Sequence, residues 1–379
     1  MKIPSTLNMI SDLIAIPSIS CNDPLKDQSN QTVIDLLATW CNELGFKCEI
    51  MPIPNYSNKF NLIATLGIGN DGLVLAGHTD TVPYDNWQFD PFKLTEQDDR
   101  LYGLGTSDMK AFFALALTAV EQVLANGIQL NHPITILATA NEETNMAGAK
   151  ALNSNLRAKY ALIGEPTGLK PIRMHKGIMM DSICLHGQSG HSSNPCLGNN
   201  ALEGMYQVIG ELLKWREQLQ VKHNNSAFQI PVPTMNLGHI HGGDSPNRIC
   251  ADCELYVDLR PLPGMNLTEL RSTLHQLVKN TLQNSGLDIK FKVLFDGIPA
   301  METPNDAEIV TITERLTNQP SGAVAYATEA PYLQALGMQT IVLGPGDIEQ
   351  AHQPDEFIAT NRLQPMIDIL TQLIVQCNQ

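Results

Sequence analysis

Two adjacent acidic residues, Glu142 and Glu143, lie one residue beyond a mainly apolar run at residues 134–140. A run of this length and composition is typical of a strand that is buried on both faces. Two carboxylates at the end of a buried strand cannot both stay charged unless a cation lies close to them. The pair therefore predicts a buried strand whose carboxyl end forms part of a cation site.

Four further potential ligands occupy comparable positions in the chain. They are His78 after the apolar run 73–77, Glu165 after 160–164, His352 shortly after 340–343, and Asp108 after 103–107. In open α/β sheets, ligands gather outside the carboxyl ends of the strands. Histidines and carboxylates suit a borderline divalent ion such as zinc, and five ligands exceed what one catalytic zinc usually takes. The pattern predicts a hydrolase with two divalent metal ions.

The acidic residues could have different roles in a two-metal centre. A carboxylate can bridge two ions that lie roughly 3.5 to 4 Å apart. Asp108 is the candidate bridge, although an Asp that starts a helix, as expected here, commonly serves as a first-turn carboxylate. In an extended chain Glu142 and Glu143 point in opposite directions, so one is expected to bind metal and the other to act as a base. The residues alone leave open which does which.

Three more positions carry competing interpretations. Asp80 shares a face with His78 in an extended segment and could accept a hydrogen bond from the far ring nitrogen of that histidine; the alternative is a turn residue before Pro83. His352 could equally be a solvated loop histidine. His191 is more readily interpreted as a hydrogen-bond donor that closure brings to the site than as a ligand.

Length and composition limit the number of domains, the partners and the cellular compartment that this protein can have. The chain has 379 residues, which favours two domains, and a formal net charge of −15, which argues against nucleic acid and anionic membranes as partners. Its 8 cysteines lack framework spacing, and no stretch is long and apolar enough to span a bilayer. We expect a reduced, cytoplasmic protein.

The order of predicted elements indicates an inserted domain. Residues 1–178 and 297–379 alternate helical and strand patterns and predict an α/β catalytic domain. Residues 179–296 follow the order βαββαβ, the ferredoxin-like split motif, in which one helix opens at Asn266 with Glu269 three residues later.

Several long segments resemble the dinuclear-zinc amidohydrolase superfamily of aminoacylases, desuccinylases and glutamate carboxypeptidases, and the likeness extends over nearly the full length. The matching segments are 77–83 (GHTDTVP), 105–110 (GTSDMK), 141–144 (NEET), 164–167 (GEPT), 187–193 (GQSGHSS), 238–244 (GHIHGGD), 258–264 (DLRPLPG) and 343–346 (LGPG).

The resemblance implies a role for each candidate residue. His78, Asp108 and Glu165 would bind one zinc ion, and Asp108, Glu143 and His352 the other, with cobalt or manganese as alternative metals. Glu142 is left as the general base, with Asp80 behind His78. The resemblance also implies a homodimer formed through residues 179–296, in which His191 serves the neighbouring subunit's site. Asn247 and Arg260 match positions that hold substrate in relatives, and Thr328 and Glu329 lie in a segment expected to line the substrate pocket.

Two departures bear on the substrate. Where diaminopimelate desuccinylases carry Thr-Ser-Asp, this chain has Thr328-Glu329-Ala330, and where they carry two arginines it has His175-Lys176. A succinyl substrate carries a second anionic group on its acyl side, and without the two arginines that group loses part of its cation partner. This favours an acetyl over a succinyl substrate. Glu329 could instead face a cationic side chain of the substrate. The implied reaction is hydrolysis of N2-acetyl-L-ornithine to ornithine and acetate. The alternatives are a broader N-acyl-amino-acid deacylase, a desuccinylase, or a non-catalytic metal-binding dimer.

Overall fold

The chain folds into two compact units. The computed structural model describes residues 3–378. One unit contains the residues up to Arg173, Thr303–Gly322 and the residues from Thr328 onward, and the other contains Met174–Glu302 and Ala323–Ala327. The boundaries predicted at 178/179 and 296/297 fall slightly inside the second unit, whose main segment starts at Met174 and ends at Glu302.

The first unit opens with alternating helices and strands. They are α1 (Thr6–Ile14), α2 (Gln31–Glu43), β1 (Lys47–Pro52), β2 (Phe60–Leu66), β3 (Leu73–His78), β4 (Thr95–Gln97), β5 (Arg100–Tyr102), α3 (Ala111–Ala125), β6 (Ile134–Thr139), α4 (Ala147–Lys150), β7 (Tyr160–Ile163) and β8 (Ile172–His175). The side chain of Ser5 caps the amino end of α1 by accepting from the Asn8 backbone N–H.

The second unit has the predicted βαββαβ order. Its elements are β9 (Ile178–His186), α5 (Ala201–Lys222), β10 (Thr234–Gly242), β11 (Asp252–Arg260), α6 (Leu267–Thr281) and β12 (Asp288–Ile298), followed by the short β13 (Met301–Glu302). The four long strands form an antiparallel sheet in the order β10-β11-β9-β12. Asn266 caps α6 by accepting from the Glu269 backbone N–H, as the spacing predicts. The ferredoxin-like motif is confirmed.

The remaining elements complete the first unit, apart from the end of β14, which passes into the second. They are α7 (Glu308–Thr317), β14 (Gly322–Val324), α8 (Ala330–Ala335), β15 (Gln339–Val342), β16 (Phe357–Ala359) and α9 (Leu363–Gln376). Strands β16, β5 and β4 form a small antiparallel sheet.

The main sheet of the first unit brings four parallel strands together. Its order is β1-β2-β6-β3-β7-β15-β8-β13, with β14 paired to β8. Strands β6, β3, β7 and β15 run parallel, β2 and β1 are antiparallel additions at one edge, and β8 pairs antiparallel with β15. Strands β3 and β6 are buried along their whole length. The carboxyl ends of all four parallel strands therefore lie at one edge of the sheet. The predicted α/β class is confirmed.

Helix α3 lies inside the first unit. It is apolar on nearly every face and packs against α1 and α9. At 15 residues it is shorter than the ~20 that a membrane span requires. Among the helices formed by residues 3–378, none is long and apolar enough to cross a bilayer.

Candidate metal centre

The predicted ligands converge at the carboxyl edge of the main sheet. His78 is the last residue of β3, Glu142 and Glu143 lie just beyond β6, and Glu165 lies just beyond β7. His352 is in the segment between β15 and β16, and Asp108 is in the loop before α3. Parallel strands thus place side chains from distant parts of the sequence in one cluster.

Asp108 presents one carboxylate oxygen toward each histidine. Its Oδ1 lies 3.0 Å from His78 Nε2, and its Oδ2 lies 3.6 Å from His352 Nε2. Glu165 Oε1 is 3.8 Å from His78 Nε2, and Glu143 Oε2 is 2.9 Å from His352 Nε2. The cluster therefore divides into two trios that share Asp108, namely His78-Asp108-Glu165 and Asp108-Glu143-His352, with the ligand atoms of each within 4.8 Å of one another.

The donors in this cluster suit divalent cations. Burial and neighbouring negative charge raise the pKa of Glu142 and Glu165 well above the ordinary carboxyl range, and burial followed by the charge of Asp108 raises that of Glu143. Glu143 Oε1 is buried and has no hydrogen-bond partner in the protein. Crowded acids and an unpaired buried oxygen are features that a bound cation would stabilise, and two imidazoles with three carboxylates match the ligands that zinc prefers.

The histidines respond to the same crowding. Burial opposes the charged form of His78, but its hydrogen bond with Asp108 and the charges of nearby glutamates hold its pKa well above the usual range. The hydrogen bond with Glu143 raises the pKa of His352 to about 9. In the metal-free protein both shifts favour the protonated imidazoles.

Asp80 contacts its neighbours differently from the prediction. The ring Nδ1 of His78 lies 2.9 Å from the backbone carbonyl oxygen of Asp80, and the nearest carboxylate oxygen is 3.8 Å away. The Asp80 carboxylate instead accepts from the backbone N–H groups of Glu142, at 3.2 Å, and Glu143, at 3.1 Å. Because β3 ends at His78, the same-face argument for an extended chain does not reach Asp80. Asp80 thus fixes the glutamate pair, and its carbonyl orients His78.

The premise of an extended Glu142-Glu143 pair was wrong. Asn141 adopts a left-handed conformation with φ 58°, and residues 142–145 form a turn. Asn is one of the few residues that tolerates this conformation. Glu143 belongs to a trio with Asp108 and His352, whereas Glu142 appears only in a further grouping with His78 and Glu143. That division agrees with Glu143 as a ligand and Glu142 as the base, but the further grouping leaves the reverse open.

Asp108 is not a first-turn residue, because α3 begins only at Ala111. Its loop is held by Glu356, a buried residue that sequence reasoning missed. The Glu356 carboxylate accepts from the backbone N–H groups of Gly105, Ser107 and Asp108. Burial, with the charge of Asp108 adding to it, raises the pKa of Glu356 to about 8. Since its partners are backbone groups, no side-chain spacing in the sequence could have marked it.

Glu329 and Thr328 lie in the first unit just before α8. Glu329 is 2 % exposed, its Oε2 accepts from Thr139 Oγ1 at 2.8 Å, and its Oε1 is buried without a partner. Burial raises the pKa of Glu329 to about 7. Although Glu329 precedes the helix, its side chain makes no capping hydrogen bond there, whereas the Thr328 hydroxyl accepts from the Ala330 N–H.

The other predicted residues, His191, Asn247 and Arg260, belong to the second unit. His191 is exposed, its Nδ1 lies 2.8 Å from Ser193 Oγ, and the next residue, Ser192, donates from its backbone to the Asn247 carbonyl oxygen. Arg260 donates to both carboxylate oxygens of Asp258. His191 and Asn247 therefore lie in adjoining loops, and Arg260 is separately placed on β11.

Comparison with known proteins identifies the family. The model of "Peptidase family M20/M25/M40" matches residues 74–376, which include every ligand of both trios. The chain belongs to peptidase family M20/M25/M40. The match confirms the resemblance deduced from the sequence motifs.

Curated relatives and solved structures match nearly the full length of the chain. It is similar to acetylornithine deacetylase of Edwardsiella ictaluri (strain 93-146), with 52% identity over 377 residues, covering 98% of each chain. It is 50% identical to acetylornithine deacetylase of Pasteurella multocida (strain Pm70) over 379 residues, covering 99% of this chain and 98% of the other. Among solved structures, a tripeptidase from Staphylococcus aureus has a TM-score of 0.78 at 20% identity and covers 98% of both chains. The last comparison shows that the fold is shared.

Proposed function

We propose that this chain is a metal-dependent hydrolase that cleaves the acetyl amide of N2-acetyl-L-ornithine, releasing L-ornithine and acetate. The observation that carries the hydrolase chemistry is the pair of ligand trios that share Asp108, with the Glu142 carboxylate beside them. The choice of substrate follows the names of relatives about half identical over their full length. This reaction would place the enzyme in arginine biosynthesis, and we expect it in the cytoplasm.

In this proposal one ion is held by His78, Asp108 and Glu165, and the other by Asp108, Glu143 and His352. We infer zinc at both positions, with cobalt or manganese as alternatives. When bound, two such ions lower the pKa of a water molecule and polarise the carbonyl oxygen of the substrate.

The residues of the chain supply the proton transfers. Glu142 takes a proton from the attacking water and delivers it to the nitrogen of the departing amine. Burial, followed by the charge of Glu165, raises the pKa of Glu142 well above the ordinary carboxyl range, which makes this carboxyl a better proton acceptor than an ordinary carboxylate. Asp80 holds the Glu142 backbone in place, and the Asp80 carbonyl keeps the proton of His78 on Nδ1, which leaves Nε2 free to bind metal.

The protein groups that face the acyl end and the side-chain end of the substrate determine which substrate is preferred. Lys176 is 2 % exposed and donates to the Val232 carbonyl oxygen at 2.7 Å, so its ammonium already has a partner within the protein. This supports acetyl over succinyl. The unpartnered Oε1 of Glu329 supports a contact with the side-chain ammonium of the substrate. Asn247, Arg260 and Thr328 are proposed to help hold the rest of the molecule.

We also propose a homodimer formed through residues 179–296, in which His191 donates to the acetyl oxygen in the neighbouring subunit as negative charge develops there. The exposed position of His191 supports this role. Subunit mixing tests it. Glu142→Gln and His191→Asn should each be inactive alone, but a mixed dimer would contain one site with both groups intact. If mixing restores no activity, His191 does not act across subunits.

A substrate panel tests the function. Acetylornithine, acetylmethionine and succinyl-diaminopimelate would be assayed with zinc-loaded enzyme, and we expect the highest kcat/KM for acetylornithine. Comparable rates on acetylmethionine would indicate a broader deacylase, and preference for the third substrate a desuccinylase. Zinc binding with no turnover of any N-acyl amino acid would overturn the proposal in favour of a non-catalytic metal-binding protein.

A further inference from the structure

We propose that Glu356 is a positioning residue for the metal centre: its carboxylate fixes the loop that makes Asp108 available to both metal sites. The inference rests on the proposed function, because it concerns the affinity of the same two sites. Glu356 lies in neither ligand trio and has no direct role in the proposed reaction.

The contacts of Glu356 are concentrated on the Asp108 loop. Its side chain is buried, with the residue only 1 % exposed. Oε1 accepts from the backbone N–H groups of Ser107 at 2.7 Å, Asp108 at 2.9 Å and Gly105 at 3.2 Å, and Oε2 lies 3.1 Å from the Gly105 nitrogen. The backbone carbonyl of Glu356 also accepts from the Gly103 N–H at 3.0 Å. Four backbone N–H groups of the loop, those of Gly103, Gly105, Ser107 and Asp108, thus donate to this one residue.

The far end of the loop is anchored independently. Lys110 is fully buried, and its Nζ donates to the carbonyl oxygens of Leu13, at 3.0 Å, and Ile16, at 2.9 Å. With Lys110 fixed on the end of α1 and Glu356 binding the middle of the loop, Asp108 has little freedom to turn. This matters because both of its oxygens are engaged, one on each side of the cluster.

The neighbouring acid provides a natural contrast. Asp355 accepts from the backbone N–H groups of Gln88, at 2.9 Å, and Phe89, at 3.0 Å, in a loop that carries no proposed ligand. Both acids follow His352 closely and both tie its segment to the rest of the unit. Only Glu356 reaches the loop of Asp108, so the two residues separate an effect on Asp108 from an effect on His352.

Direct zinc titration of metal-free protein by calorimetry tests the inference. The main variant is Glu356→Gln, which keeps the size of the side chain and one acceptor oxygen but loses the charge and places an amide N–H against the Gly105 N–H. Glu356→Ala removes the acceptor altogether. The controls are Asp355→Asn and Glu314→Gln; Glu314 accepts from the Ser321 N–H at 2.7 Å, in a loop without proposed ligands.

We expect Glu356→Gln to weaken zinc binding by about 10- to 100-fold, the usual effect of removing a group that supports metal ligands. Amide hydrogen exchange at residues 105–108 should speed up in the metal-free variant. Both controls should keep the zinc affinity of the parent protein, even where they lower the melting temperature as much. Should Glu356→Ala fail to fold, Glu356→Gln still decides the matter.

Two results would overturn the inference while leaving the proposed function intact. One is a Glu356→Gln variant that binds zinc within twofold of the parent. The other is an equal loss in Asp355→Asn, which would assign the effect to the His352 segment. If the parent protein bound no zinc at all, the proposed function itself would fail, and this inference with it.

Discussion

Replacing Glu142 by Gln separates the two adjacent glutamates by function. The exchange keeps the shape of the side chain and removes its basicity, while both trios around Asp108 remain complete. Proton transfer by a positioned base contributes ~10² to 10⁴ in rate, which is about 3 to 5 kcal/mol of the activation barrier. We therefore expect Glu142→Gln to bind two equivalents of zinc and to lose at least a hundredfold in kcat on acetylornithine.

Glu143→Gln is the matched control, since it removes a charged ligand next to His352, whose ring nitrogen lies 2.9 Å from the Glu143 carboxylate. That variant should lose one equivalent of metal. Metal analysis by mass spectrometry after dialysis, combined with acetate release, measures both properties on the same samples. If Glu142→Gln is the variant that loses an equivalent of metal, the grouping of His78 with Glu142 and Glu143 operates and the two roles are reversed. A loss of less than tenfold in kcat would show that Glu142 is not the base.

Three further outcomes are expected. Glu329→Gln should lower kcat/KM for acetylornithine by ~10-fold or more, the size of a hydrogen bond to a charged group, and leave acetylmethionine nearly unchanged; equal losses on both would mean that Glu329 supports the fold or the metals. The stability of the metal-free protein should fall as the pH rises from about 5 to 9. Folding raises the pKa of Glu356 from 4.5 to about 8 and that of His352 from 6.5 to about 9. In this range the folded state therefore holds protons that the unfolded state has released. Burial lowers the pKa of His175 from 6.5 to about 4 and that of Lys110 from 10.5 to about 7, so His175 opposes this trend below about pH 6.5 and Lys110 opposes it above about pH 7. A melting temperature that rose throughout would contradict the assignment. Adding zinc to the metal-free protein should raise its melting temperature and flatten this pH dependence, since the ions replace the bound protons.

Much of the fold, and the clustering of the candidate ligands, could be predicted because both depend on patterns along the chain. Apolar runs marked the buried parallel strands, and polar residues at their ends marked the ligands, as with His78 after β3 and Glu165 after β7. The turn at Asn141 could not be predicted, because a single Asn in a sequence is not enough to indicate a left-handed backbone conformation. The roles of Glu356 and of the Asp80 carboxylate could not be predicted for a related reason. Both bind backbone N–H groups, and these are present at almost every residue.

The positions of the proposed ligands in the sequence determine when the site can form during synthesis. Four of the five proposed ligands precede the second unit in the sequence, whereas His352 and its neighbour Glu356 follow it, close to the C-terminal helix α9. A chain still emerging from the ribosome can therefore complete neither the trio of His352 nor the support of the Asp108 loop. The proposed two-metal site can form only after residues 352–356 have been synthesised, so chains that stop before His352 should be inactive as hydrolases even when zinc is abundant.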